Sequence, residues 1–247
     1  MQDKKRQQTA LPKADANAKR ARTEMRIHKP LVLRKAFVEI DWHTLMLFID
    51  PLTKRPAAHK YETHNRDGIL VQHKRVYRPG EYSEPGHISY ALDNLSKCKR
   101  AYKFGLASLT PFPVKKLSPE AKAVRERLWA LAHALTGNKK LTVLLVNRYV
   151  QGGKGTLTKH RDDEKYIDQD HHVLSVTFTL APTTVRNLKW YYAVEHSYQN
   201  GRNHVTLETT HGDALWGDFC NHLHQVLPPS DNHESVCLTF RAATQSS

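Results

Sequence analysis

Apolar residues recur along this chain with two different periods. Between Ser118 and Gly137 the spacing is helical: Val124, Leu128, Leu131 and Leu135 stand at i, i+4, i+7 and i+11 and form one stripe. Ser118 suits an N-cap, Pro119 the first helical position, Glu120 the positive end of the dipole and Gly137 the stop. Beyond Gly137 the segments 141–150, 173–180, 204–209, 214–219 and 236–242 are short and rich in β-formers. Gly152-Gly153, Asn200-Gly201 and Pro228-Pro229 punctuate them. One helix followed by a succession of short strands predicts an α+β, mainly β fold, a β-sandwich or jelly roll packed on the helix.

Upstream the pattern is weaker. Apolar pieces at 31–38 and 45–49 are broken by Pro51 and Pro56. Residues 61–100 are polar and turn-rich, with Pro79-Gly80 and Pro85-Gly86, and are expected to fold over the main core without building one of their own. Residues 1–30 carry nine Lys/Arg against three acids with almost no apolar period, the pattern of a disordered basic arm. Its clusters Lys4-Lys5-Arg6 and Lys19-Arg20-Ala21-Arg22 suit either a nuclear address or phosphate contact, or serve solubility alone.

Composition sharpens this picture in three ways. The 247 residues suit one domain of generous size or one domain plus a tail, and the formal net charge of +14 points to a polyanionic partner such as nucleic acid or an anionic membrane surface. No apolar run approaches the ~18 residues of a membrane span, and the N-terminal residues lack the apolar stretch of a secretory signal. Cys98, Cys220 and Cys237 are scattered without CxxC spacing, which argues against a zinc ribbon or a disulfide framework and for a reducing, intracellular compartment.

The candidate chemistry lies in Thr158-Lys159-His160-Arg161-Asp162-Asp163-Glu164. In an extended segment residues i and i+2 point to the same side, so His160 and Asp162 can meet one metal ion. A second histidine from a distant strand would complete two imidazoles and one carboxylate, the facial set used by non-haem iron(II) oxygenases. His222 and His224 both qualify, and spacing does not choose between them. Gly152-Gly153-Lys154-Gly155 lacks phosphate-loop spacing and reads as a hairpin turn. His171-His172 reads as a turn at a strand start, and Trp190, Tyr191 and Tyr192 as strand residues.

Taken together these residues resemble the AlkB family of Fe(II)/2-oxoglutarate-dependent dioxygenases, which demethylate nucleic acids. The resemblance runs through Asn147-Arg148-Tyr149, His160-Arg161-Asp162-Asp163-Glu164, Gly212-Asp213, His224 ahead of Val226 and Pro228, and Leu238-Thr239-Phe240-Arg241. Upstream, Tyr102-Lys103-Phe104-Gly105 is similar to the family's aromatic nucleotide-recognition segment, with Ser89-Tyr90-Ala91-Leu92-Asp93 before it. The resemblance implies a double-stranded β-helix (jelly roll) with supporting helices and an N-terminal nucleotide-recognition lid. It divides residues 31–247 into an extension and lid at 31–117 and a helix plus jelly-roll core at 118–247. It favours His224 over His222 and assigns iron to His160, Asp162 and His224. It places 2-oxoglutarate against Asn147, Tyr149, Thr239 and Arg241, and substrate against Tyr102, Phe104, Arg161 and Glu164. The implied reaction consumes O2 and 2-oxoglutarate and releases formaldehyde from bases such as N1-methyladenine or N3-methylcytosine in DNA or RNA, extruded from the stack. Lys97, Lys99, Arg100 and Lys103 around the aromatic segment suit such a strand. A monomer, intracellular and possible in the nucleus, follows as the expectation.

One departure matters. The family tail reads Arg-x-Asn-x-Thr-x-Arg, whereas this chain has Ser235 and Cys237 at the first two of those positions. The first Arg normally anchors the far carboxylate of 2-oxoglutarate. Losing such a partner costs roughly 3–5 kcal/mol, or two to three decades of affinity. Arg186, Lys189 or His233 could take its place; otherwise the chain is a weak enzyme or a nucleic-acid-binding relative without turnover. An oxygenase of the same fold acting on protein is a further alternative, and a mononuclear zinc protein the least favoured one.

Overall fold

The structure is a computed structural model. It describes residues 29–53, 91–95, 111–149, 156–164, 166–191, 204–231 and 233–244 with their side chains, and the backbone alone at 57–64, 70–77, 88–90, 102–104 and 107–109. The arm expected over 1–30 lies outside these residues save for its last two, as does the 152–155 turn.

The chain opens with strand β1 (Leu31–Leu33) and helix α1 (Trp42–Thr53). Asp41 starts α1: its carboxylate accepts from Thr44 N at 2.9 Å and from Thr44 Oγ1 at 2.7 Å. Leu45, Phe48, Ile49 and Leu52 fall at i, i+3, i+4 and i+7 and are buried. Pro51, a breaker in the sequence pattern, sits in the last turn, where the four anchored side chains hold the helix despite the missing donor. Two paired strands follow, β2 (Ala57–His64) and β3 (Leu70–Tyr77), then β4 (Ile88–Asn94), and a second pair, β5 (Tyr102–Phe104) and β6 (Ala107–Leu109). Helix α2 (Pro119–Thr136) is capped as its sequence predicts. Ser118 accepts from Ala121 N at 3.1 Å, and Gly137 closes the helix at φ +64°.

The remaining strands are β7 (Leu141–Tyr149), β8 (Leu157–His160), β9 (Val173–Thr179), β10 (Arg186–Tyr191), β11 (His204–Thr209), β12 (Ala214–Gly217), β13 (His224–Val226) and β14 (Ser235–Ala242). They form two antiparallel sheets, ordered β1-β12-β9-β14-β7-β4 and β11-β10-β13-β8. From β7 onward the chain passes repeatedly between the sheets, so neighbours in a sheet are distant in sequence. That winding is the jelly roll, or double-stranded β-helix, expected from the sequence. β4 differs from expectation: it is not a cover but an edge strand of the larger sheet, paired with β7 from Ile88 to Asn94.

Alternation along the larger sheet separates two environments. Val236, Leu238 and Phe240 of β14 face the helices, with Leu144 and Val146 of β7, Leu174, Val176 and Phe178 of β9, and the buried faces of α1 and α2. Phe240 meets Trp129 of α2 edge-on at 4.9 Å between centroids. Between the sheets lies a smaller apolar cluster containing Val143, Leu145, Leu188, Trp190, Leu215 and Phe219. The alternate residues of β14, Ser235, Cys237, Thr239 and Arg241, stand in register with Asn147 and Tyr149 on one side and Ser175, Thr177 and Thr179 on the other. One end of the sandwich interior is therefore polar. Among the described residues no helix is long and apolar enough to cross a membrane.

Candidate metal centre and adjoining cavity

The polar end of the interior is where the smaller sheet delivers its histidines. β8 ends on His160, which pairs in register with His224 of β13; His224 pairs in turn with Trp190 of β10. After His160 the chain leaves the strand, and Asp162 is held back against the sheet by its N–H donating to Phe219 O at 3.0 Å. The ligand-type atoms of His160, Asp162 and His224 consequently lie within 4.8 Å of one another. Both Nε2 atoms stand 3.6 Å from Asp162 Oδ1. Each Nδ1 faces a backbone carbonyl, His160 that of Thr158 at 2.7 Å and His224 that of His222 at 3.1 Å. A carbonyl can only accept, so both protons sit on Nδ1 and both Nε2 lone pairs converge on one point. Fixing the tautomer through Nδ1 is the supporting device of metal-binding histidines.

Asp162 completes the set. It is almost fully buried, and its Oδ1 makes no hydrogen bond among the described residues. Its Oδ2 accepts from Arg241 Nη2 at 2.8 Å, and Arg241 Nη1 donates to Glu164 Oε2 at 3.1 Å. Burial alone would raise the Asp162 carboxyl. The Arg241 guanidinium and the nearby His160 and His224 imidazoles outweigh it and hold the group well below the usual carboxylate range. Burial pushes His224 down to about 4 against the pull of Asp162, so it is neutral at ordinary pH. His160 is less deeply placed; burial lowers it, but Asp162 and the Thr158 carbonyl win and raise it above the ordinary imidazole value. A buried anionic oxygen without a hydrogen bond, facing two oriented lone pairs, fits a divalent cation, and two imidazoles with one carboxylate suit iron(II).

His222, the alternative ligand, is turned away. It stacks on Trp190 at 4.9 Å, and its Nδ1 donates to Asp218 O at 3.0 Å. Phe219, edge-on to His224 at 4.9 Å, walls the centre. Asn147, Tyr149, Thr239 and Arg241 all line the cavity beside the three ligands, together with Ser175, Leu188 and Cys237. Asn147 Oδ1 is buried there without a hydrogen-bond partner among the described residues. Glu164 is engaged by Arg241, and Arg161 is half-buried with its Nε lacking a hydrogen bond among the described residues. The side chains of Tyr102 and Phe104 lie outside the described residues, as do Tyr192 and Lys97, Lys99 and Arg100. His171 contacts Asp168 at 3.5 Å and His172 meets Trp216 edge-on, so neither joins the centre.

Two features quoted from the sequence, Gly212-Asp213 and Arg186, take their places only in the structure. Asp213 belongs to scaffolding: it accepts from Lys35 N, Thr210 N and Arg34 Nη1 at 2.7–2.9 Å and clamps the turn after β1 to the β11–β12 corner. Arg186, Leu188 and Trp190 form the inward row of β10, whose alternating burial was the available signal. The Arg186 guanidinium lies 4.2 Å from the centroid of the Tyr149 ring.

No family model matches the chain, and no curated protein does. Among solved structures it is similar to an oxidoreductase of the 2OG-Fe(II) oxygenase family from Burkholderia pseudomallei, with a TM-score of 0.45 and 14% identity over 93% of this chain and 92% of that one. It is similar also to the Escherichia coli ribosomal oxygenase YcfD, with a TM-score of 0.46 and 13% identity over 94% of this chain and 53% of that one, and so spans about half of that protein's length. A prolyl hydroxylase from Trichoplax adhaerens gives a TM-score of 0.44 and 11% identity over 89% of this chain and 86% of that one.

Proposed function

We propose that the chain is an Fe(II)- and 2-oxoglutarate-dependent oxygenase that removes methyl groups from N-alkylated bases of DNA or RNA. The observation that carries the oxygenase assignment is the convergence of His160, Asp162 and His224, with both Nδ1 atoms tied to carbonyls and Asp162 Oδ1 left for a cation. Iron(II) held there would supply the activation of O2 coupled to decarboxylation of 2-oxoglutarate. In balance, one oxygen atom of O2 enters the N-methyl carbon, which leaves as formaldehyde, and the other enters succinate as 2-oxoglutarate loses CO2.

The chain's own residues do the positioning. Arg241 fixes the Asp162 carboxylate so that one oxygen faces the histidines. Trp190 and Phe219 exclude water from the side of His224, and Asn147 offers a buried acceptor on the opposite wall. Nucleic acid as substrate is supported by the net charge of +14 and by the cations of 97–103 interleaved with Tyr102 and Phe104.

The test is anaerobic titration of the Fe(II)-loaded protein with 2-oxoglutarate, followed through the visible metal-to-ligand charge-transfer band, beside a His224→Ala variant. The band is expected in the parent and absent in the variant. Aerobic incubation with oligonucleotides carrying N1-methyladenine or N3-methylcytosine should then release formaldehyde and succinate together. Turnover on peptides with none on methylated oligonucleotides would move the substrate to protein; nucleic-acid binding with no band would make the chain a binding protein.

A further inference from the structure

The cosubstrate position that Ser235 leaves without a cation is matched by a cation on another strand. Ser235 is buried, and its Oγ makes no hydrogen bond among the described residues. It lines a second cavity with Tyr149, Ser175, Thr177, Asn187 and Arg186. That cavity adjoins the metal cavity: Tyr149, Ser175, Leu188, Val226 and Cys237 line both. Its walls are otherwise neutral, and Arg186 brings the charge.

Arg186 is 4% exposed and stands at the start of β10 on the same inward row as Leu188 and Trp190. Trp190 is level with His224 and Leu188 with Val226, so the row runs from the metal centre into the second cavity. Four residues of strand cover about 13 Å, an interval that an arginine stem and a five-carbon dicarboxylate span between them. The other two candidate cations are excluded by position. Lys189 occupies the alternate, outward row of β10, and His233 is 43% exposed and paired with Asp231 at 3.2 Å. Burial holds Arg186 below its ordinary pKa, with the Tyr149 hydroxyl and the Cys237 thiol pulling the other way, so a ligand carboxylate would offset lost hydration.

We infer that Arg186 is the anchor for the far carboxylate of 2-oxoglutarate, supplied from β10 across the sandwich in place of an arginine at Ser235. A guanidinium fork against a carboxylate gives two-point recognition, with the ketoacid end directed along Tyr149 and Cys237 toward His160, Asp162 and His224. The inference rests on the oxygenase reading above.

Calorimetric titration of the full chain loaded with Mn(II) tests it, using 2-oxoglutarate and, as the acid lacking the far carboxylate, 2-oxobutyrate. The parent is expected to prefer 2-oxoglutarate, and Arg186→Met to lose roughly a hundred- to a thousandfold of that affinity while its 2-oxobutyrate and Mn(II) affinities stay unchanged. Arg186→Lys should recover part of the loss, and Ser235→Arg combined with Arg186→Met should recover more. Retained Mn(II) affinity and an unchanged thermal midpoint show that the variants are folded; if Arg186→Met is not, the Arg186→Lys discrimination ratio decides. Equal 2-oxoglutarate affinity in the parent and a folded Arg186→Met overturns the anchor and leaves the oxygenase standing. A parent that binds Mn(II) but neither acid overturns both.

Discussion

At the scale of single residues, the two imidazoles of the metal centre are not equivalent, and the difference is measurable. Asp162 raises His160 above the ordinary value of 6.5, whereas burial takes His224 from 6.5 to about 4. Below the raised pKa of His160 a metal must therefore displace a proton from that imidazole, and above about pH 4 none from His224. Mn(II) affinity is expected to be level above the His160 pKa, to fall with one proton per metal as the pH drops through it, and to steepen toward two only near pH 4. Calorimetry in buffers of differing ionisation enthalpy reads that proton count; a two-proton slope at pH 7 would contradict it. The metal-free fold carries opposite signs at the two sites. His224 is depressed, so the unfolded chain takes its proton first, and the stability it contributes is lost as the pH falls from 6.5 toward 4. His160 is raised, so its contribution is full below 6.5 and lost as the pH rises through its folded value.

At the scale of elements, the site is held by contacts the active residues do not make. Gly212 lies at φ +79°, and a Cβ there would come within 2.7 Å of Val38 N, on the turn that Asp213 clamps. Gly212→Ala is expected to destabilise by roughly 2–4 kcal/mol through left-handed strain plus the clash. Asp93 of β4, 1% exposed, accepts from Arg125 Nε at 2.7 Å and Trp129 Nε1 at 2.9 Å and so binds the sheet edge to α2. Asp93→Ala would strand a buried guanidinium and should cost about 3–5 kcal/mol. Urea unfolding measures both, and Mn(II) affinity below the unfolding transition should be unaltered. Elements were unevenly legible. α2 announced itself through its cap and stripe, and β7, β9, β12 and β14 of the larger sheet through their β-formers; β4 at its edge did not. β8 and β13 of the smaller sheet did not, because they are short and carry the site's polar residues in place of apolar ones, and β10 showed only its end, at Trp190 and Tyr191. α1 was hidden behind Pro51, since a breaker in its last turn looks in sequence like an end.

At the scale of the whole molecule, the net charge of +14 governs the encounter with a polyanion. Affinity for a single-stranded oligonucleotide should fall steeply with salt, with a slope near −0.7 for each phosphate neutralised. Residues 1–28 hold eight Lys/Arg against three acids. Removing them should flatten that slope and weaken binding at low salt while the charge-transfer band with 2-oxoglutarate stays intact. An unchanged slope, measured by fluorescence anisotropy across a salt series, would place the phosphate contacts wholly on residues 29–247.

The sequence by itself determined the chemistry on offer. The periods of its apolar residues specified a helix and a β-sandwich, and His160-x-Asp162 specified half of a metal site, because residues two apart on an extended chain share a face whatever surrounds them. Which late histidine completes the site was favoured as His224 by the resemblance but left open by spacing, and its physical reason is three-dimensional: pairing of β13 with β8 and β10 turns His224 to Asp162 and leaves His222 on Trp190. The same holds for Arg186. It is separated from Ser235 by three whole strands, and the sequence offered it only as one of three candidate cations, beside Lys189 and His233. It shares a cavity with Ser235 because the jelly-roll winding lays the two strands across the interior from each other. Local periodicity is a property of the chain, whereas convergence on a shared cavity is a property of the way two sheets close over it.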